Sequence, residues 1–335
     1  MKAIALISGG LDSILAARII KEQGIGVLPL NFKIPFCQRK KQASQDNDIN
    51  SLVKRSLGQE LKVVDISSEF LELVLKPRHG FGSNMNPCID CKIFMLKKAK
   101  ELLRFFDAQF VVTGEVLGQR PMSQHRRALD TIEKESGLDG LLLRPLCAGV
   151  LAETRPEKEG WVKRDRLFKF SGRSRRPQMD LAREFSIDNY PNASGGCLLT
   201  DPRFSNKLRD LISHQALNLE DVGLLKIGRH FRLSEKAKLI VGRNEEEDRE
   251  LELSARGNDY IFMPNPELAG PTCLGRGEFD NDLIQLSLQI TCHYCDLNTT
   301  KSARLIYYRA GISPREESSW EVSPLPEDKL KLFRL

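Results

Sequence analysis

The stretch KAIALISGGLDSILAARII, residues 2–20, decides the fold of the first half of the chain. KAIALIS is a short apolar run rich in strand-forming residues. Two glycines follow it, and ILAARIIKEQG then has helical apolar spacing and a glycine at its end. The stretch therefore predicts a strand, a glycine turn and a helix.

The same alternation continues beyond this stretch. GVLPLNFKI, LKVVDIS and AQFVVTGE have the pattern of strands, and the helical patterns SQDNDINSLVKRSLGQE and CKIFMLKKAKELLRFF lie between them. Strands that alternate with helices predict an α/β fold, a doubly wound parallel sheet covered on both faces.

The pattern changes after residue 215 to short strands and turns, which predicts a smaller α+β domain. We place the domains at residues 1–217 and 218–335. The polar, proline-bearing end REESSWEVSPLPEDKLKLFRL is expected to be loosely docked.

Bulk composition excludes several classes of protein. The 335 residues are 41% hydrophobic and 29% charged, as in ordinary globular proteins, and no apolar run is long enough for a membrane helix. The first residues lack a signal-peptide pattern, so we expect a cytoplasmic protein without a membrane partner. In that compartment the eight cysteines favour metal binding or chemistry over a disulfide framework. The net charge of +6 permits a nucleic-acid partner without indicating one.

The turn SGGLDS, residues 8–13, predicts a phosphate cradle. Its glycines let backbone N–H groups converge on an anion, and the helix N-terminus behind them adds partial positive charge. The alternative is a tight strand–helix turn with a serine N-cap, because short glycine motifs recur by chance. The expected phosphate-binding residues are Ser8, Gly9, Gly10, Asp12 and Ser13, with Asp12 also able to orient the turn or help hold Mg²⁺.

Set behind the first strand, SGGLDS resembles the PP-loop of the ATP pyrophosphatases. VVTGEVLGQRPMSQ (111–124) and LLLRPL (141–146) resemble the 4-thiouridine synthase family. NPCIDC is similar to a stretch of the tRNA 2-thiouridylases, which usually carry an acidic residue where this chain has Cys88. The likeness covers nearly all of residues 1–210. It implies an enzyme that cleaves ATP between the α- and β-phosphates and adenylates a carbonyl oxygen. Gly114, Glu115 and Gln119 match the family stretch near the nucleotide.

Three cysteines form the second candidate site. Cys88 and Cys91 lie in NMNPCIDCKIFM, which the composition indicates to be a loop, and Cys197 follows two glycines in YPNASGGCLLTDPRFS. In a doubly wound fold both segments can reach the carboxyl edge of the sheet, where ligands gather. The interpretations are buried inert cysteines, a zinc site, a persulfide pair, and a [4Fe–4S] cluster held by three thiolates. Three sulfur ligands without a fourth favour the cluster, and Cys197 as a persulfide carrier remains the alternative.

The resemblance implies how the two sites would act together. A uracil carbonyl oxygen attacks the α-phosphate, and sulfur from the cysteine site then displaces AMP. With a cluster, the iron left open would hold a hydrosulfide as the attacking sulfur. The sulfur itself is expected from an external donor, either sulfide or a persulfide carrier.

A basic run, WVKRDRLFKFSGRSRRPQ, precedes the Cys197 segment and interleaves aromatic residues with cations. Such a run is typical of RNA contact, although many charge runs are solvated loops. GRSR also recurs in the thiolation families, so part of the run would serve the nucleotide. The expected RNA contacts here are Arg173, Arg175 and Arg176.

Residues 220–312 resemble an RNA-binding domain of the NFACT type, on the basis of LLKIGRHFRLSEKAKLIVGRNEEED and GPTCLGRGEF. Arg229, His230 and Arg232 are its expected RNA contacts, and His230 would equally suit a packed histidine. The 4-thiouridine synthases carry RNA-binding domains before their PP-loop, whereas this chain begins at the PP-loop strand. We therefore expect RNA, in the form of tRNA, to be recognised by the C-terminal domain or by a partner.

Other cysteines and other functions complete the predictions. Cys273, Cys292 and Cys295 favour an amphipathic element over a second metal site, and Cys37 and Cys147 are interpreted as core or loop residues. The main hypothesis is an ATP-dependent RNA sulfurtransferase. The alternatives are a PP-loop enzyme that adenylates a small molecule and an RNA-binding regulatory protein that only senses nucleotide.

Overall fold

The computed structural model describes residues 1–37, 49–190, 197–214, 217–297, 301–312 and 316–335. The chain divides into two compact units, Met1–Thr200 and Asp201–Leu335. The predicted functional boundary after residue 217 stays a prediction. The two glycines before Cys197 and the first residues of the helix predicted at 44–60 lie outside the described residues.

The N-terminal unit is built on a parallel sheet. Within the described ranges this sheet has five strands in the order β3-β2-β1-β4-β5, each parallel to its neighbours. The strands are β1 (Lys2–Leu6), β2 (Gly26–Lys33), β3 (Lys62–Asp65), β4 (Phe110–Val112) and β5 (Leu142–Leu143). The predicted α/β class is confirmed.

Helices of the N-terminal unit lie between these strands and after them. They are α1 (Leu11–Lys21), α2 (Ile49–Leu57), α3 (Ser67–Leu75), α4 (Cys88–Phe105), α5 (Arg126–Ser136), α6 (Arg155–Lys158) and α7 (Arg176–Glu184). Alternating side chains of β1 point to opposite faces of the sheet. Ala3 and Ala5 belong to the core beneath α1, whereas Ile4 belongs to a second core that includes Leu96 of α4. The sheet is therefore covered on both faces.

The strand order places a topological switch point between β1 and β4. From β1 the chain builds outward to β2 and β3, and it then returns to add β4 and β5 on the other side. In open α/β sheets ligands bind beyond the carboxyl ends of the strands at this point. The glycine turn follows β1, and the segment containing Gly114 follows β4, so both lie there.

The C-terminal unit contains an antiparallel sheet, ordered β11-β10-β8-β9-β7-β6 among the described residues. Its strands are β6 (Arg229–Arg232), β7 (Ala237–Val241), β8 (Tyr260–Pro264), β9 (Cys273–Gly277), β10 (Ala303–Arg309) and β11 (Ser318–Val322). Its helices are α8 (Pro202–His214), α9 (Leu219–Leu224), α10 (Glu245–Leu253), α11 (Asn281–His293) and α12 (Glu327–Leu330). The predicted α+β unit is confirmed.

The C-terminal end of the chain is docked, contrary to the prediction of a loose end. Strand β11 pairs with β10, and Leu325 and Leu330 are buried in the core of this unit. The Leu335 amide also donates a hydrogen bond to the His230 carbonyl. The segment is mostly polar, but its few apolar residues are enough to hold it against the core of this unit. In the part of the chain that the structure describes, no helix combines the length and apolar character needed to cross a membrane.

Candidate active site

The glycine turn after β1 has the shape of an anion cradle. Gly9 adopts a φ of +82°, a conformation that favours glycine, and Gly10 is the N-cap of α1. The Ser13 hydroxyl donates to the Gly10 carbonyl at 2.7 Å and accepts the Ser8 amide at 3.3 Å. The turn is thus closed by its own serines, and the N-terminus of α1 faces the same space.

Gly114, in the segment after β4, packs directly on the glycine turn. A Cβ atom at Gly114 would lie 2.4 Å from the carbonyl carbon of Asp12 and 2.5 Å from the Ser13 nitrogen. Only glycine allows this approach, because backbone atoms cannot move aside as a flexible side chain can. The match of Gly114 to the family stretch therefore has a steric reason in this fold.

A connected group of polar side chains surrounds Asp12. Gln119 donates to Asp12 Oδ2 at 2.7 Å, and Gln178 donates to Gln119 Oε1 at 2.9 Å. Arg175 reaches within 3.7 Å of Asp12 Oδ1. Three buried atoms of this group have no hydrogen-bond partner among the described residues, namely Asp12 Oδ1, Arg175 Nε and Gln178 Oε1. Such unsatisfied atoms indicate a polar ligand, since buried polar groups are otherwise paired.

Gln178 was not among the residues predicted for this site. Gln178 is fully buried on α7, three and four positions before the buried Leu181 and Ala182. A glutamine on the apolar face of a helix is the signal that would have found it. Arg175 was predicted to bind RNA, and the structure places it at Asp12 instead of on an open surface.

Cys88 and Cys91 occupy the first turn of α4, not a loop as the sequence predicted. Pro87 is the N-cap, and the Cys91 amide donates to its carbonyl at 2.8 Å. The buried Asp90 carboxylate accepts the amides of Arg78 and His79, which ties down the preceding loop. A spacing of three residues on a helix puts both thiols on one side.

Backbone hydrogen bonds bring Cys197 to this helix end. The Leu198 amide donates to the Phe36 carbonyl at 2.8 Å, and the Met85 amide donates to the Leu199 carbonyl at 3.1 Å. The Asn84 side chain also donates to the Thr200 carbonyl. The Cys197 segment therefore lies between the chain that follows β2 and the loop that precedes α4, and Cys37 is paired opposite Cys197.

The thiols influence one another electrostatically. Burial raises the pKa of Cys91, and the nearby thiols of Cys88, Cys197 and Cys37 raise it further. Burial also raises the pKa of Cys197 to about 11, with Cys37 and Cys88 contributing. The structure thus brings the three predicted cysteines together and adds a fourth, Cys37. The residues described contain no group of three or more histidine, cysteine or acidic side chains arranged as metal ligands.

Glu115 links the helix that carries Cys88 and Cys91 to the segment that packs on the glycine turn. Its buried carboxylate forms an ion pair with Lys92, the neighbour of Cys91, at 2.9 Å, and with Arg144 at 3.0 Å. Burial alone would raise the pKa of Glu115, but Lys92 and Arg144 outweigh it and lower that pKa to about 2. Glu115 directly follows Gly114, so one short segment contacts both centres.

The basic run separates into structural and exposed residues. Arg164 pairs with Glu157 and donates to the carbonyls of Ala148 and Leu151. The three aromatic residues of the run pack against the core instead of standing free; they are Trp161, Phe168 and Phe170. The cations that remain exposed are Lys163, Arg166, Lys169, Arg173 and Arg176.

The predicted RNA contacts in the C-terminal unit differ from one another. Arg232 forms a two-point pair with Asp210, at 2.9 and 2.7 Å. Arg229 lies over the Tyr294 ring at 4.8 Å and is only half-buried. His230 is 1% exposed, its Nε2 contacts the Ile227 carbonyl, and burial lowers its pKa well below the usual value. His230 is thus a packed histidine, and Arg229 is the better placed of the two arginines for RNA.

The remaining cysteines are packing residues. Cys147, Cys273 and Cys292 are buried, and burial raises the pKa of each thiol. Cys273 accepts a hydrogen bond from Thr291 at 3.2 Å, and Cys295 donates to the Thr291 carbonyl. These contacts agree with the predicted amphipathic element, which is α11.

Family models match both parts of the chain. Residues 1–150 match the family described as thiamine biosynthesis protein (ThiI), and residues 228–334 match the NFACT protein RNA binding domain. These matches confirm the predicted resemblance to the thiolation enzymes in the first part and to an NFACT-type RNA-binding domain in the second.

Individual curated proteins and one solved structure are similar to parts of the chain. The chain is 30% identical to the "Probable tRNA sulfurtransferase" of Thermococcus kodakarensis over 118 residues, 35% of this chain and 30% of that protein. It is 32% identical to the tRNA-specific 2-thiouridylase MnmA of Petrotoga mobilis over 132 residues, 35% of each chain. The chain thus spans about a third of the length of these relatives. A solved 4-thiouridine synthetase–RNA complex with bound ATP aligns at 20% identity and a TM-score of 0.39, over 67% of this chain and 52% of that one.

Proposed function

We propose that this protein is an ATP-dependent RNA sulfurtransferase whose substrate is tRNA. It adenylates a uracil carbonyl oxygen at the glycine turn and replaces that oxygen with sulfur from the site of Cys88, Cys91 and Cys197. The observation that carries the proposal is that one segment, Gly114 and Glu115, makes a contact on the side of each candidate site. Gly114 packs on Asp12, and the next residue, Glu115, pairs with Lys92 beside Cys91.

The activation step belongs to the glycine turn. Backbone N–H groups at the N-terminus of α1 would bind the phosphates of ATP, with the hydroxyls of Ser8 and Ser13 as further donors. Arg175, whose Nε is buried without a partner, would face the phosphates, and Asp12 Oδ1 is the oxygen available to Mg²⁺. The carbonyl oxygen of uracil attacks the α-phosphorus, the bond to the β-phosphate breaks, and pyrophosphate leaves.

Adenylation turns the carbonyl oxygen into a good leaving group. Sulfur delivered from the cysteine site adds to the activated carbon, and AMP departs with the original oxygen. The product has sulfur in place of oxygen on the ring. The cysteines need not contact ATP in either step, because the uracil base itself would pass between the glycine turn and the cysteine site.

The donor chemistry of the cysteine site suits a [4Fe–4S] cluster. Its three candidate ligands are all thiols, held by backbone hydrogen bonds between Phe36, Met85 and the Cys197 segment. When bound, such a cluster would supply an iron free of protein ligands, at which external sulfur can bind. The protein's own contribution is to fix the helix end and the Cys197 segment against each other. In the alternative chemistry, Cys197 itself carries sulfur as a persulfide.

Each unit, taken by itself, offers cations for RNA. The C-terminal unit resembles an RNA-binding domain over residues 228–334, and Arg229 offers a guanidinium stacked on an aromatic ring. The exposed arginines Arg173 and Arg176 flank Arg175 in the N-terminal unit. Arginines contact phosphates and stack on bases, which suits an RNA held near the reacting carbon.

The test is in vitro thiolation followed by nucleoside mass spectrometry. The anaerobically purified chain is incubated with unmodified tRNA, ATP, Mg²⁺ and sulfide, and the digested RNA is searched for thiouridine. A thionucleoside that depends on ATP, together with one AMP released per sulfur, supports the proposal. ATP cleavage that ignores RNA and leaves the nucleosides unchanged would indicate a small-molecule substrate. Iron and sulfide content and the visible absorption spectrum of the same preparation decide between cluster and persulfide.

A further inference from the structure

Cys37 is the one cysteine near the candidate site that the proposed chemistry does not use. It stands after β2, whose carboxyl end lies at the same edge of the sheet as the glycine turn. Its side chain is exposed, whereas Cys88, Cys91 and Cys197 are half-buried. Its thiol contributes to the raised pKa of both Cys91 and Cys197, so it lies within electrostatic reach of both.

The backbone sets Cys37 directly opposite Cys197. The two residues form an antiparallel bridge, and the hydrogen bond that makes it runs from the Leu198 amide to the Phe36 carbonyl. When the hydrogen bond joins the neighbours of two opposite residues, and not those two residues themselves, the opposite residues are called a non-hydrogen-bonded pair. In such pairs the Cα atoms are about 4.5 Å apart and the side chains are close together. Disulfides form across Cα separations of about 4.4–6.8 Å.

We propose that Cys37 and Cys197 form a reversible disulfide that withdraws Cys197 from the sulfur site. The site would then stop thiolation under oxidising conditions and resume it on reduction. This inference rests on the proposed function for its consequence, but the disulfide itself rests only on the pairing of the two residues.

A low-molecular-weight disulfide, such as glutathione disulfide, is the oxidant. The Cys37 thiolate attacks one of its sulfurs, the sulfur–sulfur bond breaks, and the first glutathione leaves as a thiolate. The Cys197 thiol loses its proton to solvent, attacks the Cys37 sulfur and releases the second glutathione. The two protein thiols lose two electrons and the glutathione disulfide gains them. Exposure of Cys37 explains why it reacts first, and exposed disulfides are the labile, regulatory kind.

Peptide mapping tests the disulfide without ATP or RNA. The full-length chain, freed of iron by a chelator, is incubated with glutathione disulfide, blocked with iodoacetamide and digested with trypsin without reduction. Cys37 falls in residues 34–39, Cys197 in 184–203, and Cys88 and Cys91 together in 79–92. We expect 34–39 joined to 184–203, with the loss of two hydrogens, as the main linked product, and its disappearance on adding dithiothreitol. A product dominated by 79–92 joined to 184–203, or no linked peptide, would overturn the inference.

Variants separate regulation from catalysis. Under reducing conditions Cys37→Ser is expected to thiolate tRNA as the wild type does, and to retain activity at oxidant concentrations that silence the wild type. Cys91→Ser should still form the Cys37–Cys197 link, because Cys91 takes no part in it. Loss of thiolation in reduced Cys37→Ser would contradict a purely regulatory role. If the Cys37–Cys197 disulfide forms but the protein does not thiolate tRNA, the proposed function is wrong and the inference of the disulfide still holds.

Discussion

The side-chain amide of Gln119 donates a hydrogen bond of 2.7 Å to Asp12, and Gln119 is itself held by the fully buried Gln178. Asp12 stands in the first turn of α1, beside the proposed phosphate site. Gln119 therefore fixes the carboxylate whose other oxygen, Oδ1, is the one proposed to be available to Mg²⁺. The orientation of Asp12 depends on two residues far from it in the sequence.

Replacing Gln119 with alanine should weaken ATP binding. A hydrogen bond to a charged group contributes about 1.5–3 kcal/mol, so we expect the dissociation constant to rise about tenfold or more. Calorimetric titration with a non-cleavable ATP analogue measures it. Gln178→Ala should act in the same direction, and the double variant should lose little more than either single one, because both act on one carboxylate. Gln285→Ala, at an exposed position on α11, is the matched control, and full additivity would contradict the coupling.

A methyl group at Gly114 should disrupt the nucleotide site. The added Cβ would lie 2.4 Å from the Asp12 carbonyl carbon, a clash that only a backbone shift relieves. Overpacking of this kind costs about 1–3 kcal/mol, and here it would also displace the turn that is proposed to bind phosphate. We expect Gly114→Ala to lower the melting temperature and to lose ATP-dependent stabilisation. In Gly223→Ala the new methyl group meets open space in α9, and melting should be unchanged or raised. An ATP response in Gly114→Ala equal to that of the wild type would refute the steric argument.

The two half-reactions should separate at Cys197. Because its thiol is proposed to serve sulfur delivery and not ATP activation, Cys197→Ser should lose thiolation by about a thousandfold or more while AMP formation with tRNA continues. Thiouridine and AMP are measured in the same reaction. Cys295→Ser is the control, since Cys295 is a half-buried packing cysteine of the C-terminal unit. If Cys197→Ser thiolates at the wild-type rate, the three-cysteine site is not the source of sulfur.

Local patterns in the sequence predicted the sheet and the glycine turn, but not every residue of the site. The strand, turn and helix in residues 2–20 depend on neighbouring residues, so spacing alone reveals them. Cys88 was assigned to a loop because Pro87 and the residues before it disfavour a helix, yet proline is tolerated where a helix begins. Cys37 and Lys92 meet their partners through pairings between distant segments, which no local pattern encodes. Cys37 could nevertheless have been predicted. Ligands gather at the carboxyl edge of a parallel sheet, and this rule, which located Cys197, also applies to Cys37 because it follows a parallel strand.

Glu115 should make stability depend on pH in the acidic range. Its pKa is about 2 in the folded protein and 4.5 for a glutamate in the unfolded chain, so its contribution is present above about pH 4.5 and is lost as the pH falls through about 2. We expect the unfolding free energies of the wild type and Glu115→Gln to differ by about 3 kcal/mol at neutral pH and to converge only below about pH 2. Denaturant titrations followed by Trp161 fluorescence, in a Trp320→Phe background, report on the N-terminal unit.

An exposed carboxylate supplies the control for that experiment. Asp65 also has a pKa of about 2, through Lys33 and Ser67, but its side chain is half-exposed. Solvent screening should leave Asp65→Asn with a much smaller difference from the wild type. A Glu115→Gln difference that stays constant across the acidic range would show that the carboxylate's charge is not what stabilises the fold.

The two arginines of β6 should respond differently to removal. Arg232 holds Asp210 at two points, so Arg232→Ala removes the two-point partner of a mostly buried carboxylate, which keeps Lys238 at 3.2 Å, and should destabilise the C-terminal unit. Arg229 rests on Tyr294 and donates to the Gly242 carbonyl at 3.3 Å, so Arg229→Ala should keep the melting temperature and weaken RNA binding. Each lost phosphate contact lowers the slope of log affinity against log salt by about one. Anisotropy titrations of labelled tRNA at several salt concentrations measure that slope, with Arg309→Ala, which lies 6.0 Å over Tyr260, as the matched control. If Arg229→Ala binds tRNA as the wild type does, with an unchanged slope of log affinity against log salt, the RNA-binding surface of this unit does not lie at β6.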